Sequence, residues 1–258
     1  MLSPRILRGL IFLFWLVTGP AIVQAQNSRA SSAAAYFDRG NEWLAKGELD
    51  RAIADYDLAI ITDPSLATAF HQRGEARRGK GDLEGAIADY TKAIEVSPRM
   101  IEAYNNRGSV RFLQGDLARA MADFDVVIKL APRRAVAYVN RGLIQQDKGD
   151  LDGALVDFNQ AIGLDPRLAE AYNDRGTIWN DRGALDRAIA DFSRAIKLNP
   201  QYYGAYANHG LALLRQGKEA DARQDFDQCL KLNPELRPLL DQRIREVRER
   251  RAAKQQDF

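Results

Sequence analysis

Six prolines govern what this chain can become: Pro64, Pro98, Pro132, Pro166, Pro200 and Pro234 follow one another at 34 residues without a slip. Two sets of glycines keep the same step, Gly40 to Gly210 and Gly47 to Gly217, as do the alanines from Ala52 to Ala222. Four registers in phase over six copies mean one small structural unit built six times. The unit from Ile101 to Arg134 shows its design. Tyr104 and Gly108 share one helical face, and the glycine lets a neighbouring helix come close. Gly115 is placed to end that helix in the left-handed conformation, with Asp116 ready to cap the next one. Leu117, Ala120, Met121, Phe124, Val127 and Ile128 then recur at three and four, the apolar stripe of a second helix. Pro132 ends it, because proline cannot continue a helix. The period therefore predicts a hairpin of two short helices, which buries its apolar face only when neighbours stack on it.

The repeating signature has a first aromatic (Tyr36, Phe70, Tyr104, Tyr138, Tyr172, Tyr206), a glycine four residues later and a central alanine. A second aromatic (Tyr56, Tyr90, Phe124, Phe158, Phe192, Phe226) and the closing proline complete it. This pattern resembles the tetratricopeptide repeat, over residues 33–236. The resemblance implies an all-α fold, a right-handed α-solenoid of stacked helix–turn–helix hairpins whose first helices line a concave groove. One departure from the family pattern is regular. Where the family usually carries leucine before the glycine, this chain has Arg39, Arg73, Arg107, Arg141 and Arg175, with His209 in the sixth unit. An equally regular aspartate occupies the second helix: Asp55, Asp89, Asp123, Asp157, Asp191 and Asp225. The two positions lie at similar heights in an antiparallel hairpin, so an Arg–Asp ion-pair ladder is expected, within or between units. The functional alternative is that the arginines hold an anionic ligand.

By family register, the groove side chains of the third unit include Glu102, Asn105, Asn106, Ser109, Phe112 and Leu113. Gln72, Asn106, Asn140, Asp174 and Asn208 fall at one register, with Asn173 beside Asp174 and Leu143 near Asn140. A row of amides suits an extended peptide, since each donates to a carbonyl and accepts from an N–H whatever the peptide sequence. Phe112 and Leu143 would then take its side chains. The same amides could instead bond neighbouring helices across the stack. Groove acids (Asp38, Glu75, Glu102, Asp147, Glu170, Asp174, Asp181) outnumber the bases Arg78 and Arg215, so a neutral or basic segment is the expected guest.

The two ends differ from the array. Arg5 and Arg8 precede an apolar run from Leu10 to Val17, then Gly19-Pro20 and the small residues Val23 and Ala25. This is the layout of a secretory signal peptide cleaved after Ala25, which would place the protein in the bacterial periplasm or another extracytoplasmic space. The alternative is an uncleaved membrane anchor. The uncharged stretch from Gly9 to Val23 is only 15 residues, however, and a spanning helix wants about 20. Residues 26–32 read as a polar linker. Beyond Pro234, residues 237–258 read as a capping helix and tail, the helix running to about Ala253, with Leu239, Leu240, Ile244 and Val247 inward and charges outward.

Composition excludes several functions. Without residues 1–25 the chain has 35 basic and 35 acidic side chains, so it has no bulk electrostatic attraction to nucleic acid or anionic membrane. His71 and His209 are 138 residues apart, and Cys229 takes the place that alanine takes in other units. No catalytic constellation, metal site or cofactor motif is visible. The expectation is a non-catalytic, monomeric scaffold or adaptor that binds a protein or extended peptide. A self-associating structural protein and a small-ligand or enzyme-accessory subunit are the alternatives.

Overall fold

The computed structural model describes residues 31–256. The expected signal segment and linker residues 26–30 lie outside them. Helix α1 covers residues 31–45, so Ser31 and Ser32, read as linker, already belong to it. The next helices are α2 (Leu49–Thr62), α3 (Ala67–Gly79), α4 (Leu83–Val96), α5 (Ile101–Leu113) and α6 (Leu117–Leu130). They are followed by α7 (Ala135–Asp147), α8 (Leu151–Leu164), α9 (Ala169–Asp181), α10 (Leu185–Leu198), α11 (Tyr203–Gln216) and α12 (Glu219–Leu232). A short 3-10 turn, Pro234–Leu236, leads into α13 (Arg237–Gln256). No strand occurs among the described residues.

Each turn inside a hairpin carries a glycine at positive φ, from 76° at Gly47 to 88° at Gly217. A side chain would strain the backbone there. The aspartate after that glycine caps the second helix in three hairpins. Asp82 accepts from Gly85 N at 2.9 Å, Asp116 from Arg119 N at 3.2 Å and Asp150 from Gly153 N at 3.0 Å.

The chain divides into two compact units, one ending at Asp123 and the other starting at Phe124. In the first unit, α1 with α2 and α3 with α4 are hairpins, and α5 leads into the start of α6. Tyr56 and Tyr90 are fully buried. Around Tyr90 lie Phe70, Ala103 and Val110, so α4 fills the space between α3 and α5. The second unit holds the hairpins α7–α8, α9–α10 and α11–α12, closed by α13. Phe158 and Phe192 are its buried centres. A β-carbon at Gly142 would stand 2.8 Å from the Phe158 ring, so this position is glycine because the helices touch there. Burying one such ring contributes about 2–3 kcal/mol.

The α13 helix covers the end of the second unit. Leu240, Ile244 and Val247 pack against Leu211, Leu214 and Cys229. On the less apolar face of α12, Glu219 accepts from Arg251 Nη1 at 3.2 Å and approaches Arg248 at 3.8 Å. The helix continues three residues past the expected end, to Gln256.

Candidate functional site

The helices present two kinds of polar surface, one between the helices of each hairpin and one on the first helices. On the former, every arginine of the regular series grips the aspartate 16 residues ahead with a two-pronged fork. Arg39 reaches Asp55 at 2.6 and 2.5 Å, Arg73 reaches Asp89 at 2.9 and 2.6 Å, and Arg107 reaches Asp123 at 3.1 and 2.7 Å. Arg141 reaches Asp157 at 2.8 and 2.7 Å, and Arg175 reaches Asp191 at 2.8 and 2.6 Å. All five aspartates are buried. A buried carboxylate costs several kcal/mol unless a partner of this kind satisfies it. Hydrogen bonds from Arg39 hold the Asp55 carboxyl below the usual carboxylate range.

The third guanidinium nitrogen goes backward. Arg73 Nη1 binds Asp57, Arg107 Nη1 donates to Thr91 Oγ1 at 3.0 Å, Arg141 to Asp125 at 2.8 Å and Arg175 to Asn159 at 2.6 Å. Each of these arginines thus fastens its own hairpin and ties it to the one before. The ring four residues on the N-terminal side of each arginine's glycine lies beneath the guanidinium, 5.5 Å away for Tyr104 and 5.8 Å for Tyr138. In the last hairpin His209 repeats the pattern with two contacts: Nδ1 to Asp225 at 2.7 Å and Nε2 to Ser193 Oγ at 2.9 Å. The arginine series is consumed by these contacts and leaves no fork free for an anion.

The first-helix face differs between units. In the first unit the amides bond across neighbouring helices. Gln72 Nε2 donates to Asn41 Oδ1 at 3.4 Å, and Asn106 Nδ2 donates to Glu75 Oε1 at 2.7 Å and meets His71 Nε2 at 3.1 Å. Asn105 Nδ2 donates to Asn106 Oδ1 at 3.1 Å, while its own Oδ1 is buried without a partner. Glu75 is served by Arg78 at 2.8 Å and by the Tyr90 hydroxyl. Burial pushes the Glu75 carboxyl up, but these bonds outweigh it and hold the group below its ordinary value. Phe112 is half-buried beside exposed Leu113.

In the second unit Asn208 Nδ2 donates to Asn173 Oδ1 at 3.0 Å, and Asn173 Nδ2 donates to Asp174 Oδ1 at 3.1 Å. Leu143 packs, half-buried, on the cluster around Phe158. Asn140 alone in the row of amides has no hydrogen-bond partner among the described residues. Of the two readings of the amide row, bonding between neighbouring helices describes most of it: facing helices bring these side chains within reach of one another, and most pair. Asp174 differs from the ladder aspartates in holding an amide in place of a cation. Burial, reinforced by Glu170 and opposed by Asn173, pushes its carboxyl up to about 6. No lysine or arginine pairs with it among the described residues. The hydroxyl of nearby Tyr202 is pushed up by burial and then by Asp174 and Glu170.

Among the described residues no group of His, Cys, Asp and Glu is arranged to hold a metal ion, and no helix is long and apolar enough to cross a membrane. Cys229 is fully buried, and burial pushes its thiol up, away from the reactive thiolate.

Comparison with known proteins agrees with this architecture. Family models described as TPR repeat match residues 74–115 and 176–217. Models described as tetratricopeptide repeat match 135–168, 101–134 and 203–236. Together they cover more than half of the chain. No curated protein matches it. Among solved structures, MamA is similar with 27% identity and a TM-score of 0.55, over 62% of this chain and 94% of MamA. The Pseudomonas aeruginosa protein pilF shares the fold at 19% identity and a TM-score of 0.71, over 81% of this chain and 95% of its own. YrrB, reported as a TPR protein with an unusual peptide-binding site, shares it at 20% identity and a TM-score of 0.55, over 70% and 93% of the two chains. Hairpins of the predicted period, the glycine and aromatic contacts inside them and these matches together place the chain in the tetratricopeptide repeat family, whose fold serves generally as a protein-interaction scaffold.

Proposed function

We propose that this protein is a non-catalytic adaptor that holds an extended, neutral or basic polypeptide segment on its first helices, with the principal contact in the second unit. One observation carries the reading. The five buried ladder aspartates each hold a guanidinium, whereas Asp174, on the first-helix face, has only the Asn173 amide. A half-buried carboxyl without a cation is a socket for one, and a lysine, an arginine or an N-terminal amine of a guest would supply it. Glu170 adds a second charge, and Asn140 offers a free donor and acceptor to a guest backbone. YrrB supports a peptide as the guest class to the extent that the same fold carries a peptide site in that protein. The segment Met1 to Ala25 supports export and an extracytoplasmic partner, met by a monomer released from its leader.

The test is fluorescence anisotropy with extended peptides that differ only in carrying lysine, glutamine or glutamate. The lysine peptide is expected to bind tightest, and Asp174→Asn to weaken it about tenfold, near 1.4 kcal/mol. Equal binding of the three peptides, or an unchanged affinity in Asp174→Asn, would remove the assignment.

A further inference from the structure

The second unit carries another recessed region, of opposite charge, where α13 crosses the end of α11 and the α9–α10 turn. A cavity of about 640 Å³ there is lined by Arg215, Arg243, Arg250 and Arg251, against the carboxylates Asp181 and Glu246. Two of the four guanidinium groups are occupied. Arg215 Nη1 donates to the backbone oxygen of Asn180 at 2.5 Å and to its side chain at 2.8 Å, and Arg251 binds Glu219. Arg243 and Arg250 have no partner among the described residues. They are seven residues apart on one helix, about 10 Å along its axis. Next to this cavity is an apolar hollow of about 200 Å³ lined by Tyr203, Ala207, Leu239 and Leu240. Leu211 and Arg243 line both. Leu239 is 52% exposed and Tyr203 is 42% exposed, so the hollow has an uncovered apolar rim.

From this juxtaposition we infer that the α13 surface of the second unit is a docking site for an acidic polypeptide segment that carries an apolar residue to one side of its two carboxylates. Two unpaired guanidinium groups call for anions, and Arg is suited to carboxylates through its planar fork. The adjoining hollow takes one side chain of about leucine size. From Leu239 to Arg250 the helix offers about 16 Å of continuous surface. A small anion would fill only part of that length, whereas a chain in the polyproline II form, with three residues per turn, places carboxylates three residues apart on one face at about 9 Å, matching Arg243 and Arg250. The site adjoins the first-helix face, for Asp181, Asn208 and Arg215 line it too, but it does not depend on that reading, since its two free cations lie on α13.

The experiment uses the chain without residues 1–25 and the probe acetyl-Leu-Pro-Pro-Asp-Pro-Pro-Asp-Gly-amide, whose leucine and two aspartates share one face, in isothermal titration at low salt. Saturable binding is expected, weakened by added salt. The double substitution Arg243→Gln/Arg250→Gln should reduce the affinity at least tenfold with helicity and Tm unchanged, since both side chains are exposed. Leu239→Ser should reduce it severalfold, and Asp174→Asn should leave it unaltered. Absence of saturable binding overturns the inference, as does equal binding of the probe with both aspartates replaced by asparagine. Loss of binding in Asp174→Asn would move the probe to the first-helix face. Tighter binding by decanoate or inorganic phosphate would assign the cavity to a free anion and overturn the polypeptide reading.

Discussion

Asp191, buried, and Asp174, half-buried, lie on consecutive helices of one unit, yet their surroundings are opposite. Asp191 accepts two hydrogen bonds from Arg175. Asp174, the residue next to Arg175, accepts one from an asparagine amide. Successive side chains on a helix point about 100° apart, so the guanidinium that completes the ladder is turned away from the first-helix face. The comparison teaches that the same residue type has two uses here. Between the helices of a hairpin the carboxylate is closed and holds the fold together. On the first helix it is open and keeps an unmet demand for positive charge.

The largest effect should come from opening a closed pair. Arg141→Leu leaves Asp157 and Asp125 without their cation, and Asp157 has no route to water. A loss of about 3 kcal/mol in urea unfolding is expected. A loss below about 1 kcal/mol would mean that the ladder is not what holds the hairpins.

Relieving the open carboxyl should act in the other direction. The folded pKa of Asp174, about 6, lies above the unfolded value of about 3.9. Its ionised form therefore opposes folding at neutral pH, and this opposition lifts as pH falls through 6. Asp174→Asn should stabilise the free protein at pH 7 by on the order of 2 kcal/mol and flatten the pH dependence between 7 and 5. Asp55 has the opposite sign: its contribution is present above about pH 4 and is lost as the pH falls below that. Destabilisation by Asp174→Asn at pH 7 would break the contrast.

The smaller effects sharpen it. His209→Arg restores a fork to the last rung, where imidazole makes two contacts and the preceding arginine makes three. A gain of about 0.5–1 kcal/mol is expected in thermal unfolding. Asn140→Ala should change stability by less than about 0.5 kcal/mol, whereas Asn106→Ala removes a donor from Glu75 and should cost about 1 kcal/mol.

Much of this contrast was legible in the residues alone. The strict 34-residue step predicts the hairpins, the left-handed turn glycines and an Arg–Asp ladder, because each follows from period and helical geometry, but it leaves open whether Arg141 pairs within its own unit, as it does with Asp157, or with a neighbour. The backward contacts were not legible. Asp57, Thr91, Asp125, Asn159 and Ser193 stand 16 residues before each arginine or the histidine, but their types vary, and only the stacking distance makes them partners. The amides were placed on the first-helix face by register, yet whether Asn106 faces a guest or Glu75 is decided by rotamer and by helix separation. The cavity beneath α13 was hidden for another reason: Arg243 and Arg250 belong to a charge-alternating stretch outside the repeat, where no register says which charges converge.

The most direct measurement is the titration of the Asp174 carboxyl by carbon-detected nuclear magnetic resonance, identified against Asp174→Asn, with and without a bound lysine-bearing peptide. The account predicts a midpoint near 6 in the free protein, falling when the peptide supplies its ammonium group. A midpoint near the ordinary aspartate value in the free protein, or one that stays put when the peptide binds, would contradict it.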